Sequence, residues 1–353
     1  MPKSHRLLSF TAPLALFLAG ASVSVTSAQS VPAAVTQEEP DVQSLMMTPA
    51  DTDLSVDAAS ARIHVMPVHG TTMKQSSPAD SDAGIVNATA ATAAADTVAT
   101  GIRFYPGDLA NPLNNPTIDM AKNHNVYLNA LPNVWGRPAR LLRDLSKSDF
   151  IHVTDQYVNT TADDRYKVGK AAYVLYPTAP HTLAPNDIFG ILHAAAGMFG
   201  TGYRDVYHVF LPPGTDICTA PGAACYSPDN PATFRFCAYH GTVTFSDIGH
   251  VIYSVQPYQN VPGCAINGAL PNGVLIDSTA TALSHELFEM ITDPDLNAWW
   301  DRVDLDLRGA EIGDICQRAG GSYDTPLLHG RLYEIQPEYS NLAHACVFSL
   351  TPE

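Results

Sequence analysis

DSTATALSHELFEMITDP, residues 277–294, is the stretch that decides how this chain reads. Asp277 or Ser278 is placed to cap a helix, and Asp293-Pro294 ends it, because proline disfavours helix at the residue before it. Leu283, Leu287 and Met290 recur at i, i+4 and i+7 and form a core-facing stripe. His285 and Glu289 lie four residues apart, which sets an imidazole and a carboxylate one turn apart on another face. Glu286 adjoins His285. HELFE therefore has the logic of the zinc-protease His-Glu-x-x-His helix, with Glu in place of the second His. Such a pair can chelate one divalent cation while Glu286 polarises a metal-bound water. A catalytic site also needs a third ligand and an open position. GAEIGDICQ (309–317) offers Glu311 and Asp314. The competing reading is structural: a His and two Glu on an exposed helix face, with Glu289 and Asp293 facing solvent or capping. DRVDLDLRGAE (301–311) is not an EF-hand loop, since Gly and Glu do not fall together at the positions that loop requires.

Upstream of this helix, NVYLNAL (125–131) and DFIHVTDQYV (149–158) read as strands, and KVGKAAYVLYP (167–177) is ambiguous. NDIFGILHAAAGMFG (186–200) reads as a helix from Asn186 to Gly200. VYHVFLPPG (206–214) is a strand ending in a turn, and GTVTFSDIGHVIYSVQPY (241–258) is one or two strands turning near Asp247-Ile248-Gly249. Late strands are expected at 331–336 and 345–350. Strands before helices, with a late signature helix, predict an α/β or α+β domain: a mixed sheet with a helix carrying the His-Glu-x-x-Glu motif, zincin-like in logic.

The flanking composition sets the domain limits. Between Gln29 and Thr100 there is no Phe, Tyr or Trp, and nine acids stand against Arg62 and Lys74. A stretch like this contributes little to a packed core, so 29–100 is expected to be an acidic, low-complexity, disordered segment. Residues 101–353 are then a single globular domain. The first 28 residues read as a secretory signal, with Lys3 and Arg6, an apolar centre at Leu14–Ala19, and small residues at Thr26-Ser27-Ala28. That apolar run is too short for a stable membrane span.

The whole chain carries a net charge of −16, which argues against binding nucleic-acid phosphates. Six cysteines, Cys218, Cys225, Cys237, Cys264, Cys316 and Cys346, are an even count that suits disulfides in an exported chain. Pairing within 218–264 and between Cys316 and Cys346 is the expected arrangement. With no Cys-x-x-Cys pair, a cysteine metal site is the weaker reading.

At SHELFEMITDPDLNAWWD and the following EIGDIC the sequence resembles the C-terminal signature of the phosphate-induced protein 1 family, the EXORDIUM-like secreted proteins. The matching positions are His285, Glu286, Glu289, Asp293, Pro294, Asn297, Ala298, Trp299, Trp300, Glu311, Ile312, Asp314 and Cys316. FCAYHG (236–241) resembles the family's Cys-Gly-Phe-His-Gly segment, and YSVQPYQNVPGC (253–264) its strand leading to a Pro-Gly-Cys turn. The resemblance covers about 120–350 and is strong over 236–317. The family's Gly-rich ending is shortened here to AGGSYDTP and HGRLYEIQ, and 29–100 has no counterpart, which points to a bacterial or divergent member. The resemblance implies secretion and the shared helix motif. Its plant members are apoplastic proteins linked to growth, which does not establish catalysis.

His240 and His250 flank a strand, and either is a further candidate ligand, although a lone strand histidine more often plays a structural part. Ser284 is poorly placed to use His285 as its base, since adjacent helix residues diverge by about 100°. There is no Gly-x-Ser-x-Gly elbow, P-loop or dinucleotide fingerprint. Trp299 and Trp300 suit either sugar stacking or the core. The expectation is a secreted metallohydrolase, peptidase-like, with zinc as cofactor. Its ligands would be His285, Glu289 and either Glu311 or Asp314, with Glu286 as the base, and its partner an extracellular polymer or peptide. The alternative is a non-enzymatic extracellular binding or growth-signalling protein with a structural acidic helix. Metal content and the convergence of these side chains separate the two.

Overall fold

The strands of the main sheet are β1 (Val42–Met46), β2 (Arg62–Pro67), β3 (Ala121–Leu128), β4 (Tyr166–Val168), β5 (Ala171–Leu175), β6 (Asp205–Phe210), β7 (Phe236–Phe245) and β8 (Gly249–Gln256). The helices are α1 (Pro138–Leu145), α2 (Asp155–Val158), α3 (Pro185–Phe199), α4 (Val274–Thr292) and α5 (Ile312–Arg318). This computed structural model describes residues 42–48, 51, 54, 56, 61–69, 107–219, 224–303, 309–318 and 323–350. The expected signal at 1–28 and residues 70–106 lie outside them.

The protein is a mixed α/β fold. The sheet runs β1-β5-β3-β6-β8-β7-β2, with β4 also paired to β3. From β1 to β8 the neighbours are parallel, whereas β7 pairs antiparallel with both β8 and β2. The central strands are buried on both faces, which explains why VYHVF and NVYL lack clean polar alternation. One face carries α3, whose Ile188, Ile191 and Leu192 join Val209, Tyr239 and Val255. The other carries α1 and α4, where Leu141, Leu145, Leu283 and Leu287 form a second core with Phe150 and Phe210.

Two expectations fail here. Residues 149–158 are a 3-10 turn (Asp149–Thr154) running into α2, not a strand. The buried positions Phe150, Ile151, Val153, Thr154, Tyr157 and Val158 follow a helical rather than an alternating period. Thr154 Oγ1 also donates to the Ile151 carbonyl at 2.7 Å and Gln156 Nε2 to the Val153 carbonyl at 3.0 Å, local bonds that close helical turns. Second, the acidic segment is not coreless throughout. β1 and β2 form the two edges of the main sheet, and Met47, Val65 and Met66 are buried in its core. Aliphatic and thioether side chains do here what the missing aromatics would have done. The compact unit therefore includes this part of the segment.

The signature helix α4 is longer than expected. It begins after Gly273, whose φ of 88° makes the entry turn. Asp277 lies inside it and accepts from the Asn272 backbone N–H at 2.9 Å, so it anchors that turn rather than capping the helix. At the other end Asp293 accepts from the backbone N–H groups of Asn297 and Ala298, each at 2.6 Å, and fixes the chain's exit. Trp300 is buried under the Arg302 guanidinium, 3.7 Å from its ring centre. Trp299 donates its indole N–H to the Tyr157 carbonyl at 3.0 Å. Both tryptophans thus serve packing.

Three disulfides form: Cys218–Cys225, Cys237–Cys264 and Cys316–Cys346, with no free cysteine. They suit an oxidising compartment. Closing loops of 27 and 30 residues, the last two stabilise by about 3–4 kcal/mol each in the chain-entropy description. No helix among the described residues is long and apolar enough to cross a membrane.

Candidate metal centre

His64 on β2 and His240 on β7 stand directly opposite each other across the antiparallel pair, ring centres 5.5 Å apart. Their neighbours Val65 and Tyr239 belong to the core on the α3 face, so strand alternation turns both imidazoles toward α4. α4 presents His285, Glu286 and Glu289, all fully buried. The start of α5 brings Glu311 and Asp314, and the hairpin of Glu338–Ser340 and Ala345–Val347 brings Glu338. Two disulfides brace these parts. Cys237 lies three residues before His240, and Cys316 ties α5 to the hairpin that carries Glu338. A glycine at 313 is required, because a Cβ there would lie 2.5 Å from His285 Nδ1.

Glu289 is the hub. Its Oε1 lies 3.1 Å from His285 Nε2, and its Oε2 lies 3.6 Å from His240 Nε2. Glu311 Oε2 is 3.4 Å from His240 Nε2. His64 is held by two acids, its Nδ1 3.1 Å from Glu311 Oε1 and its Nε2 2.8 Å from Asp314 Oδ2. Three donor sets converge within 4.8 Å: His64, Glu289 and Asp314; His240, Glu289 and Glu311; and His285, Glu286 and Glu289. Each holds one histidine, and Glu289 belongs to all three.

The electrostatics are those of too many acids in too little water. Burial first, then the neighbouring carboxylates, holds Glu286 and Glu311 well above the ordinary carboxylate range, and Glu338 with them. Burial lowers His64, but Asp314 and Glu289 outweigh it and leave the imidazole raised. His285 is raised the same way, chiefly by Glu289. His240 is pushed well below its usual value by burial and by the two other histidines. Asp293, just beyond, is pushed up to about 7 by burial, against the opposing pull of the Ala298 and Asn297 N–H groups. The oxygens of Glu286, Glu289 and Glu338 and both ring nitrogens of His240 and His285 close no hydrogen bond of good geometry. The Met66 backbone N–H and the Gln336 side chain only partly offset the burial of Glu286 and Glu338. Buried groups of this kind are normally paired or neutralised. Imidazole nitrogen with carboxylate oxygen is a donor set that suits zinc and other divalent first-row ions.

His285, Glu289, Glu311 and Asp314, the expected ligand set, all lie in this cluster, but not in the expected grouping. His285 meets Glu289 and Glu286, whereas Glu311 and Asp314 reach Glu289 beside His240 and His64 respectively. The helix face expected to be exposed under the structural reading is fully buried. His250 is no part of the cluster: its Nε2 pairs with Asp295 Oδ1 at 2.9 Å. Ser284 donates to the Thr281 carbonyl at 3.1 Å. Sequence reasoning missed His64 and Glu338. The signal for His64 was ARIHVMPVHG (61–70), a strand-like run inside the segment set aside as acidic and low in complexity. Glu338 had no local signal. No family model, no curated protein and no solved structure matches this chain.

Proposed function

We propose that this is a secreted, EXORDIUM-like metalloprotein whose buried cluster holds a divalent cation, zinc by its donor chemistry, and that it works as a peptidase-like metallohydrolase. One observation carries the reading: three histidines and four carboxylates, all less than a tenth exposed, converge in sets that share Glu289. Burying those charges without a counter-ion is costly, and a cation converts the cost into binding energy that is also folding energy. In this reading Glu289 is the common ligand, with His240 and Glu311 as the other donors, while His285 faces the second Glu289 oxygen. His64, gripped by Glu311 and Asp314, orients those acids from outside, as partners of metal ligands commonly do. The cation supplies Lewis acidity to a water or a carbonyl. Glu286, next to His285 on α4, would be the base for that water once the cation draws off its proton. The three blocks that carry the family resemblance, 236–241, 285–289 and 311–316, supply His240, the helix donors and the α5 acids to one place, which supports that kinship.

Full burial of every donor favours a second reading, a closed structural site in a non-enzymatic extracellular binding protein. Two measurements separate them: metal analysis of the purified full-length protein, and cleavage of a peptide library before and after chelation. A stoichiometric cation with chelator-sensitive cleavage, lost in Glu286→Gln, supports the hydrolase. A cation without cleavage leaves the structural site. No cation under zinc-replete conditions refutes both.

A further inference from the structure

The cluster contains more donors than one four-coordinate ion can use: of its three sets, that of His64 is already closed by Glu311 and Asp314, and the other two meet at Glu289. A tetrahedral ion with bonds near 2 Å holds its ligand atoms about 3.3 Å apart. His285 Nε2 to Glu289 Oε1, at 3.1 Å, is one such edge. His240 Nε2 to Glu289 Oε2 at 3.6 Å, and to Glu311 Oε2 at 3.4 Å, are two more. The two oxygens of Glu289 thus face different histidines, each backed by its own second acid. Among the described residues, no set that converges within 4.8 Å contains both His240 and His285. One carboxylate with its oxygens turned to two separate nitrogen–oxygen pairs is the arrangement of a bridging ligand.

We propose that the protein has a second divalent-cation position, formed by His285, Glu286 and Glu289, next to a first position formed by His240, Glu289 and Glu311, with Glu289 bridging the two ions. This rests on the metal-centre reading above and extends it. Charge favours it: Glu286, Glu289, Glu311, Asp314 and Glu338 can carry five negative charges in a volume closed to water, of which one divalent ion offsets two and a pair offsets four. Both ring nitrogens of His240, fully buried, form no hydrogen bond, so an ion there displaces no existing partner. The second ion has a functional consequence. It ties up Glu286 as a ligand, so a protein loaded with two ions loses the base that the one-ion form keeps free. The second position is therefore inhibitory, and the ratio of bound ions sets whether the centre is competent.

Titration of the metal-freed full-length protein with zinc ions alone, followed by calorimetry, tests this. Two buried equivalents are expected, the second weaker than the first. In Glu286→Gln only the first equivalent should remain, and its retention shows that the variant is folded. One equivalent in the unsubstituted protein overturns the second position while leaving the metal centre intact. None overturns both. Two equivalents that both survive Glu286→Gln assign the second ion to the acidic surface and also overturn the proposal. A manganese-loaded sample adds a readout independent of affinity. Ions about 3.5–4 Å apart give an exchange-coupled paramagnetic resonance signal. Two uncoupled signals refute the bridge.

Discussion

His208 and His240 are buried to the same degree, on the same face of the same sheet, in one cross-strand row through Ser254. Their surroundings differ in one respect. His208 has a partner for each ring nitrogen: Ser254 Oγ lies 2.8 Å from Nδ1 and Asn123 Oδ1 lies 2.9 Å from Nε2. Burial and His124 push it down to about 3, so it is a neutral, satisfied strut between three strands. His240 has no hydrogen bond at either nitrogen, and its Nε2 faces two acids at 3.4 and 3.6 Å. The same residue type in the same place in the fold is structural where its partners are complete. It is a ligand candidate where they are not.

The largest expected break in this contrast is Glu289→Gln. One atom's change removes the donor common to all three sets, so zinc affinity should fall about 100-fold or more, measured by chelator competition. Retention of affinity would mean that Glu289 is only a buried acid. Next comes the histidine pair itself. His208→Ala removes one partner each from Asn123 and Ser254 and leaves a cavity, and should cost about 2–4 kcal/mol, lowering the melting temperature by about 5–10 °C with metal content unchanged. His240→Ala should do the reverse: roughly tenfold weaker metal binding, with little change in melting of the metal-free protein. If both variants shift stability alike and neither shifts metal content, the distinction collapses. Gly313→Ala is subtler. Its Cβ would drive into the His285 ring, and binding of the second zinc equivalent should weaken about tenfold while the first, at His240, is unchanged.

The smallest effect is a pH slope. His64 and His285 are raised above 6.5, and Asp293 is raised from 3.8 to about 7, so each holds its proton more tightly folded than unfolded. The stability this gives is lost as pH rises through the folded values. His240 and His208 are lowered, so above pH 6.5 they are neutral in the folded protein and largely neutral in the unfolded chain. The metal-free protein should therefore melt a few degrees lower at pH 8.5 than at pH 6.5. The loaded protein should not, because the cation replaces those protons. A metal-free protein that gains stability over this range would reverse the sign of the argument.

Helical spacing made α4 and its His-Glu-x-x-Glu face legible, because the donors are fixed by four residues of chain. Glu311 and Asp314 were legible as acids close behind it. The disulfides followed from an even cysteine count in a chain read as exported. What spacing could not give was the partner set. His64 meets Asp314 across 250 residues of sequence, and only the antiparallel register of β2 on β7 sets it beside His240. The same long-range pairing recruits part of an aromatic-free, acidic segment into the sheet edge, which composition alone argued against. At 149–158, β-branched residues suggested a strand, while the helical period of the buried positions prevailed.

Diffraction recorded on either side of the zinc absorption edge, from crystals grown with zinc, tests the central claim most directly. The account predicts an anomalous peak about 2 Å from a Glu289 oxygen, beside His240 and Glu311. Zinc bound only at the surface, with the Glu289 carboxyl hydrogen-bonded to His285 or His240 in a closed, ion-free cluster, would contradict it.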